Sequence, residues 1–170
     1  YDFVIFPGFK TPEWAKGAVM YQIFTDRFCN GDPTNDVETR EYHYMDQHVH
    51  QVEDWSRPPL NSDIREFYGG DLQGVLDKMD YLQELGVEVI YFNPLFVSPS
   101  NHKYDTADYM TVDPIFGGEN ALKSLVIAAK EKGIEIILDG VFNHTGSDSI
   151  YFNKYGRYKE LGAYQSKNSK

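Results

Sequence analysis

The fold is decided by residues 71–92, DLQGVLDKMDYLQELGVEVIYF, in which a helical pattern passes through a single glycine into a strand pattern. Apolar side chains recur there at spacings of three and four residues as far as Leu85, which predicts an amphipathic helix over 71–85. Asp71 suits the N-cap of this helix, and Gly86 suits the left-handed position that ends one. The apolar run VEVIYF, residues 87–92, then predicts a strand covered on both faces.

The same unit follows again further along the chain. A second predicted helix ends at Gly133, and the run IEIIL, residues 134–138, predicts another strand. The apolar face of that helix is predicted to consist of Leu122, Leu125, Val126 and Ala129. Upstream, the run AVMYQIF, residues 18–24, predicts the first strand. The resulting order β-α-β-α-β, with about one glycine between each helix and the next strand, is typical of a parallel α/β architecture.

The connections that follow the strands are much longer, covering residues 25–70 and 93–118. Parallel β/α folds place their chemistry at the carboxyl ends of the strands, where loops vary without disturbing the sheet. We therefore expect the functional site in these loops and after residue 138. A complete (β/α)₈ barrel needs about 250 residues, so three strands correspond to its opening portion only.

Composition limits the classes of partner. A chain of 170 residues with 41% hydrophobic residues can bury one substantial core, which excludes a disordered tail. Its net charge of −10 disfavours nucleic acids and anionic membrane surfaces as partners. No apolar run approaches the roughly 18 residues of a membrane span. The single cysteine, Cys29, cannot form a disulfide within the chain.

Two groups of residues contain side chains of the kinds that bind metal ions. Residues 30–36, NGDPTND, gather oxygen-bearing side chains around a glycine and a proline, and hard oxygen ligands suit Ca²⁺. The Gly69 carbonyl and Asp71 could close that site, although turn formation and helix capping explain the same residues without a metal. For His43, His48 and His50, spacing favours loop packing over zinc, because no cysteine pair or helical arrangement accompanies them.

Two further segments suit the binding of a sugar. Residues 98–109, SPSNHKYDTADY, mix aromatic and polar groups, so that the Tyr104 ring could cover the apolar face of a pyranose while neighbours such as His102 bind its hydroxyls. Residues 139–144, DGVFNH, place Asp139 and His144 at the end of the third predicted strand. Ordinary loop packing and turn formation remain the alternative for both segments.

Four motifs, in order, resemble the α-amylase family, glycoside hydrolase family 13, over essentially residues 13–148. They are AVMYQIFTDRF (18–28), the loop 30–36 with 69–71, KYDTAD (103–108) and DGVFNH (139–144). The sequences of the second and third motifs are most similar to those of the neopullulanase, cyclomaltodextrinase and amylopullulanase branch.

The resemblance implies a fold and a division of the chain. The fold class is α/β, the N-terminal portion of a (β/α)₈ TIM barrel comprising its first three β/α units. Residues 1–12 are expected to be a linker from an upstream segment, since the sequence opens on Tyr1 rather than Met. Residues 13–144 are expected to hold the first three barrel strands, and 145–170 the beginning of a subdomain inserted after the third strand.

The resemblance also implies a function, the retaining cleavage of α-1,4-glucosidic bonds in starch, maltodextrin, pullulan or cyclodextrin. Tyr104 would stack on the sugar at the cleavage point, and His144 would bind the hydroxyls of that sugar. Asp139 would orient the residues next to it. His102 lies in the substrate-binding loop. The implied Ca²⁺ ligands are Asn30, Asp32, Asn35, Asp36, Gly69 and Asp71.

The family's three catalytic acids come from the fourth, fifth and seventh strands, beyond this chain. The chain alone is therefore expected to be inactive, with an α-glucan and the remainder of the same enzyme as its partners. A non-catalytic saccharide-binding or regulatory fragment is the alternative, and an intact mass well above 19.6 kDa would favour the enzyme. Bacterial secretion or display at the cell surface is the expected location, with the cytoplasm as the alternative.

Overall fold

The computed structural model describes residues 7–59, 63–166 and 168. In chain order its elements are β1 (Met20–Ile23), β2 (His43–Tyr44), β3 (Gln47–His48), β4 (His50–Gln51), β5 (Glu66–Phe67), α1 (Leu72–Asp77), α2 (Met79–Glu84), β6 (Val89–Phe92), β7 (Phe96–Val97), β8 (Asp108–Val112), α3 (Gly118–Glu131) and β9 (Glu135–Leu138). Short 3₁₀ turns cover Glu13–Ala15, Thr25–Arg27, Pro33–Asn35 and Pro114–Phe116.

A three-stranded parallel sheet in the order β1-β6-β9 forms the centre of the fold. Met20 of β1 pairs with Val89 of β6, and Val89 pairs with Glu135 of β9. The three predicted strands, their parallel arrangement and the β-α-β-α-β order are therefore confirmed. The observed strands begin or end one or two residues inside the predicted bounds.

The main core lies between this sheet and the helices. Its largest fully buried side chains include Ile23, Leu72, Met79, Leu82, Ile90, Phe92, Leu95, Phe116 and Leu125. These come from strands, helices and the loops between them, so the three β/α units share one core. A second, smaller core of Val37, Val49 and Phe67 forms within the long connection between β1 and α1.

Two details of the predicted helices are wrong. The helix expected over 71–85 is two helices, because Lys78 adopts φ −101° and ψ 9° and so interrupts the run. The apolar spacing continues across this break, which is why the pattern could not reveal it. Leu85 follows the end of α2 and is 51% exposed, and Val126 of α3, beside the outer strand β9, is 44% exposed.

Both outer strands of the sheet present apolar side chains to solvent. Val19 and Met20 at β1 are 53% and 52% exposed, and Leu138 of β9 is 39% exposed. A groove between α3 and β9 is lined by Val126, Ile134, Ile136 and Leu138 together with Lys130. In a closed barrel such edges are paired and covered by further strands and helices.

The predicted division of the chain stays a prediction. The expected linker, 1–12, lies partly outside the described residues. The tail from residue 145 packs back on the segment before β8: the Gly146 N–H donates to the Thr106 carbonyl (2.8 Å) and the Ile150 N–H to the Ala107 carbonyl (3.0 Å). Among the described residues, no helix has the length and apolar character needed to cross a membrane.

The loop after β1 lies directly against the N-terminal turn of α1. The Asp71 N–H donates to the Cys29 carbonyl at 3.0 Å, and a side chain at Gly74 would meet that same carbonyl oxygen at 1.9 Å. A side chain at Gly70 would come within 2.1 Å of the Thr25 carbonyl oxygen. Backbone can approach backbone this closely only where the β-carbon is missing.

We expect Gly74→Ala to lower the free energy of unfolding, by about 1–3 kcal/mol for an overpacked site. In an unconstrained helix the same change would raise it by about 0.5–1 kcal/mol, so the sign of the effect tests the close approach. Urea denaturation supplies the measurement. Gln73→Ala, at the exposed preceding position of α1, is the control and should change the stability little. A stabilised Gly74→Ala protein would contradict the packing described here.

Candidate functional site

Three side chains meet at the carboxyl ends of β6 and β9. Asp139 follows β9 directly, and its N–H donates to the Phe92 carbonyl at 3.2 Å. Burial raises the pKa of Tyr91 and Tyr104, and the nearby Asp139 carboxylate adds to both shifts, so that the two hydroxyls remain protonated at neutral pH. The loop after β6 thus lies close to the end of β9 at the predicted rim.

His102 packs against Tyr104. The two rings stack with centroids 5.9 Å apart and planes 29° from parallel. His102 Nδ1 accepts from the Tyr104 N–H at 3.1 Å and lies 3.3 Å from Ser100 Oγ. Burial lowers the pKa of His102, Asp105 opposes this shift and Lys103 adds to it, which favours the neutral imidazole. The Tyr104 ring therefore already rests against His102 before any ligand binds.

A buried ion pair lies beneath this loop. Lys103 is 1% exposed, and its ammonium forms a salt bridge to Asp113 at 2.8 Å and donates to the Ser98 carbonyl at 2.6 Å. The same ammonium lies 5.6 Å from the centre of the Phe67 ring and 5.5 Å from that of Phe116. Such full enclosure leaves Lys103 no route to a ligand, so its role is to hold the loop in place.

Asp105 links this loop to the β2–β3 hairpin. Its carboxylate accepts from Ser98 Oγ at 2.7 Å, from Ser100 Oγ and from the Tyr44 hydroxyl at 2.6 Å. Burial by itself would raise the pKa of Asp105, but these hydrogen bonds outweigh burial and lower the pKa, so the group is ionised at neutral pH.

His144 lies in a second group of residues, centred on Tyr109. The His144 ring is exposed, with Nδ1 2.5 Å from Asn143 Oδ1. The Tyr109 hydroxyl donates to the carbonyls of His144 and Val141, and its ring lies 5.6 Å from that of Phe142. The structure thus brings Tyr104, His102 and Asp139 together, whereas the backbone around His144 is fixed through Tyr109.

Sequence reasoning missed Tyr91, Tyr109 and the Lys103–Asp113 pair. Tyr91 could have been found from the sequence, because it is the second-last residue of the apolar run 87–92 and a buried phenol normally has a polar partner. The ion pair gave no such signal, since a lysine and an aspartate ten positions apart in a polar loop usually lie in solvent.

The predicted calcium residues do converge in space. Asn30 Nδ2 donates to both oxygens of Asp36, at 2.8 and 2.9 Å, and Gln51 Nε2 donates to Asp36 Oδ2 at 3.1 Å. Gly69 has φ +79°, and a β-carbon there would lie 2.4 Å from Asp36 Oδ1. Burial raises the pKa of Asp36, the amide hydrogen bonds oppose this shift, and Asp71 and Asp32 add to it.

The other two acids of this loop are already engaged. Asp71 caps α1 through the Gly74 N–H at 2.6 Å and also accepts from the N–H groups of Gly31 (3.1 Å) and Asp32 (2.8 Å). Asp32 accepts from the Thr34 N–H and hydroxyl, which lower its pKa. Capping and turn formation, the alternative that the sequence left open, are thus the roles that their hydrogen bonds display.

Two oxygens of the loop lack a partner. Asn30 Oδ1 and Asn35 Oδ1 are buried acceptors that receive no hydrogen bond, which is costly unless something else binds them. Across the described ranges, no three His, Cys, Asp or Glu side chains cluster in a way that could hold a metal. Any cation here would therefore rely on amide and backbone oxygens beside the Asp36 carboxylate, a donor set that fits Ca²⁺.

Comparison with known proteins gives one consistent result. Residues 22–168 match the family model "Alpha amylase, catalytic domain". An amylopullulanase of Thermoanaerobacterium saccharolyticum is 52% identical over an alignment that covers 92% of this chain and 13% of that protein. Neopullulanase 2 of Thermoactinomyces vulgaris is 49% identical, with 89% and 25% covered.

Solved structures agree with these relatives. The type III pullulan hydrolase from Thermococcus kodakarensis superimposes with a TM-score of 0.77 at 38% identity, over 85% of this chain and 26% of that protein. The chain therefore spans between an eighth and a quarter of the length of the curated relatives described above. The predicted resemblance and the predicted fold class, the opening part of a (β/α)₈ barrel, are confirmed.

We expect Lys103→Met to lower the free energy of unfolding by about 3–5 kcal/mol, because it leaves the buried Asp113 carboxylate without its counter-ion. Methionine is an unbranched apolar side chain only one atom shorter than lysine, and neither residue is favoured over the other at the left-handed φ of 63°, so the lost charge is what the variant mainly tests. Thermal or urea denaturation measures the effect.

Lys123→Met is the matched control, since Lys123 pairs with Glu119 on the exposed surface of α3. The control should cost at most about 0.5 kcal/mol. Equal effects of the two substitutions would contradict a structural role for the buried pair.

Proposed function

The chain belongs to the α-amylase family, and from this premise we propose that it supplies the N-terminal part of the barrel of a retaining hydrolase acting on α-1,4-glucans. Starch, maltodextrin, pullulan and cyclodextrin are the candidate substrates. The observation that carries the proposal is the Tyr104 ring, which stacks on the His102 imidazole and lies near the Asp139 carboxylate at the strand-end rim.

The proposed role of Tyr104 follows from this arrangement. An aromatic ring binds the apolar C–H face of a pyranose, and a ring that is already oriented loses little side-chain entropy on binding. Asp139, whose carboxylate lies near the Tyr104 hydroxyl, acts as a positioning residue. The exposed His144 ring, on the next loop of the rim, is available to hydrogen-bond sugar hydroxyls.

Hydrolysis itself needs groups beyond these three strands. A retaining glycosidase uses one carboxylate to attack the anomeric carbon and a second carboxyl group to protonate the departing oxygen. The family resemblance assigns these acids to later strands of the barrel. We propose the remainder of the same enzyme as the partner that supplies them, and the exposed apolar edges at Met20 and Leu138 support this pairing.

We further propose that the loop 30–36 binds Ca²⁺ together with the Gly69 carbonyl. The unpartnered amide oxygens of Asn30 and Asn35 and the Asp36 carboxylate support this assignment, with Asp32 and Asp71 shaping the loop around them. A bound Ca²⁺ would supply positive charge that offsets the three neighbouring carboxylates. Since such an ion suits millimolar external calcium, we propose that the protein is exported or displayed at the cell surface.

We expect the 170-residue chain to bind maltodextrin without cleaving it, because binding groups alone leave the glycosidic bond intact. Tyr104→Ala should weaken binding by up to about tenfold, the worth of an aromatic contact of roughly 0.5–1.5 kcal/mol. Calorimetric titration with maltodextrin, followed by a reducing-sugar assay, measures both properties.

Tyr81→Ala, at an exposed tyrosine of α2 away from the rim, is the control and should leave the affinity unchanged. Turnover by the chain alone, or equal losses in the two variants, would overturn the proposal.

For the calcium loop, we expect added Ca²⁺ to raise the thermal unfolding midpoint, and a chelator to lower it, because a ligand that binds only the folded state stabilises it. Asp36→Asn should abolish this shift. Asp54→Asn should preserve it, since Asp54 forms a similar turn with Ser56 on the exposed surface. If the thermal unfolding midpoint of the unsubstituted protein did not change with Ca²⁺, the assignment would be refuted.

A further inference from the structure

Two histidines face each other across the β2–β3 hairpin, outside the sites described above. His43 is the direct cross-strand partner of His48, and their ring centroids lie 3.8 Å apart with planes tilted by 38°. The strands turn through Met45 and Asp46, whose φ values of 50° and 61° suit a two-residue hairpin loop. The spacing of the two histidines, five positions apart, did not indicate that they face each other.

The hairpin is anchored on its opposite face. Tyr42 and Tyr44 alternate with His43 along the chain, so they point to the other side of the strand. The Tyr42 hydroxyl donates to the Pro99 carbonyl at 2.8 Å, and the Tyr44 hydroxyl to Asp105 Oδ2 at 2.6 Å. Val49, directly after β3, is fully buried in the second core. The hairpin backbone that carries the histidine pair is therefore anchored to the rest of the protein.

One nitrogen of the pair lacks a partner. His48 Nδ1 is buried and makes no hydrogen bond. A neutral imidazole has one ring nitrogen with a lone pair, and this is the form in which histidine binds metals.

We propose that His43 and His48 together bind a divalent transition-metal ion, of which Zn²⁺, Ni²⁺ and Cu²⁺ are the kinds that imidazole prefers. Because the described residues bring no third His, Cys, Asp or Glu into such a cluster, water completes the coordination. The exposed His43 ring turns about its side-chain bonds to aim a nitrogen at the same point as His48. The site differs in chemistry from the calcium loop, where all the donors are oxygens.

Charge sets the expected strength of binding. The net charge of −10 attracts cations to the molecule as a whole. Arg40, whose backbone N–H donates to the Val49 carbonyl at 2.9 Å, places a positive charge on the residue paired beside His48 and opposes a cation at the hairpin itself. With two protein ligands and this local repulsion, the site should bind more weakly than a structural zinc site of four ligands.

The test is a calorimetric titration of the full 170-residue chain with ZnCl₂, in the presence of excess Ca²⁺ to keep the oxygen site filled. We expect one Zn²⁺ per chain. His43→Gln and His48→Gln should each weaken binding by at least about tenfold, since loss of even an outer-shell partner costs roughly 10–100-fold. His50→Gln is the matched control and should retain the affinity within about twofold, because His50 lies outside the stacked pair.

A second measurement does not depend on the variants. Electron paramagnetic resonance of the Cu²⁺ form of the unsubstituted chain should show two coordinated imidazole nitrogens. Absence of Zn²⁺ binding, an equal loss in His50→Gln, or displacement of Zn²⁺ by Ca²⁺ would each overturn the proposal. None of these outcomes bears on saccharide binding by Tyr104, so the two proposals can fail separately.

Discussion

The rest of the structure depends on the parallel pairing of β6 between β1 and β9. Because all three strands run the same way, their carboxyl ends meet at one rim, and the long loops that follow them must share that rim. Asp139 lies near Tyr91 and Tyr104 for this reason: the register of β6 against β9 places Phe92 opposite Leu138, one residue before Asp139. An antiparallel arrangement would place these groups at opposite ends of the sheet.

The long loops after β1 and β6 enclose buried side chains of their own, and several of these side chains are polar or charged. Lys103 and Asp113 form a buried ion pair, and Asp105 collects hydroxyl donors from three side chains. Asp26 plays a similar part beneath the first loop. Burial raises its pKa to about 6, although the Tyr68 N–H and the Arg27 guanidinium favour the charged form. Each buried group gains stability only when all its partners are present, so these networks hold the loops in one conformation.

The two proposed cation sites show how the same loop region can separate ion types. The loop 30–36 offers carboxylate and amide oxygens, which suit a hard ion such as Ca²⁺. The β2–β3 hairpin offers imidazole nitrogens, which suit a transition metal. In both places the signal is a buried acceptor atom without a hydrogen bond, at Asn30 and Asn35 in one site and at His48 in the other.

The sequence by itself determined the strands, their order and the rim that carries the chemistry, because hydrophobic periodicity and glycine stops are local properties. It also singled out Tyr104 and Asp139, through residue types that suit a sugar site and through motifs that resemble a known family. Only the tertiary structure decided which distant groups meet: the break at Lys78, the Lys103–Asp113 pair and the facing of His43 and His48. Contacts of this kind arise when separate loops fold onto one another, and spacing along a chain carries no record of that approach.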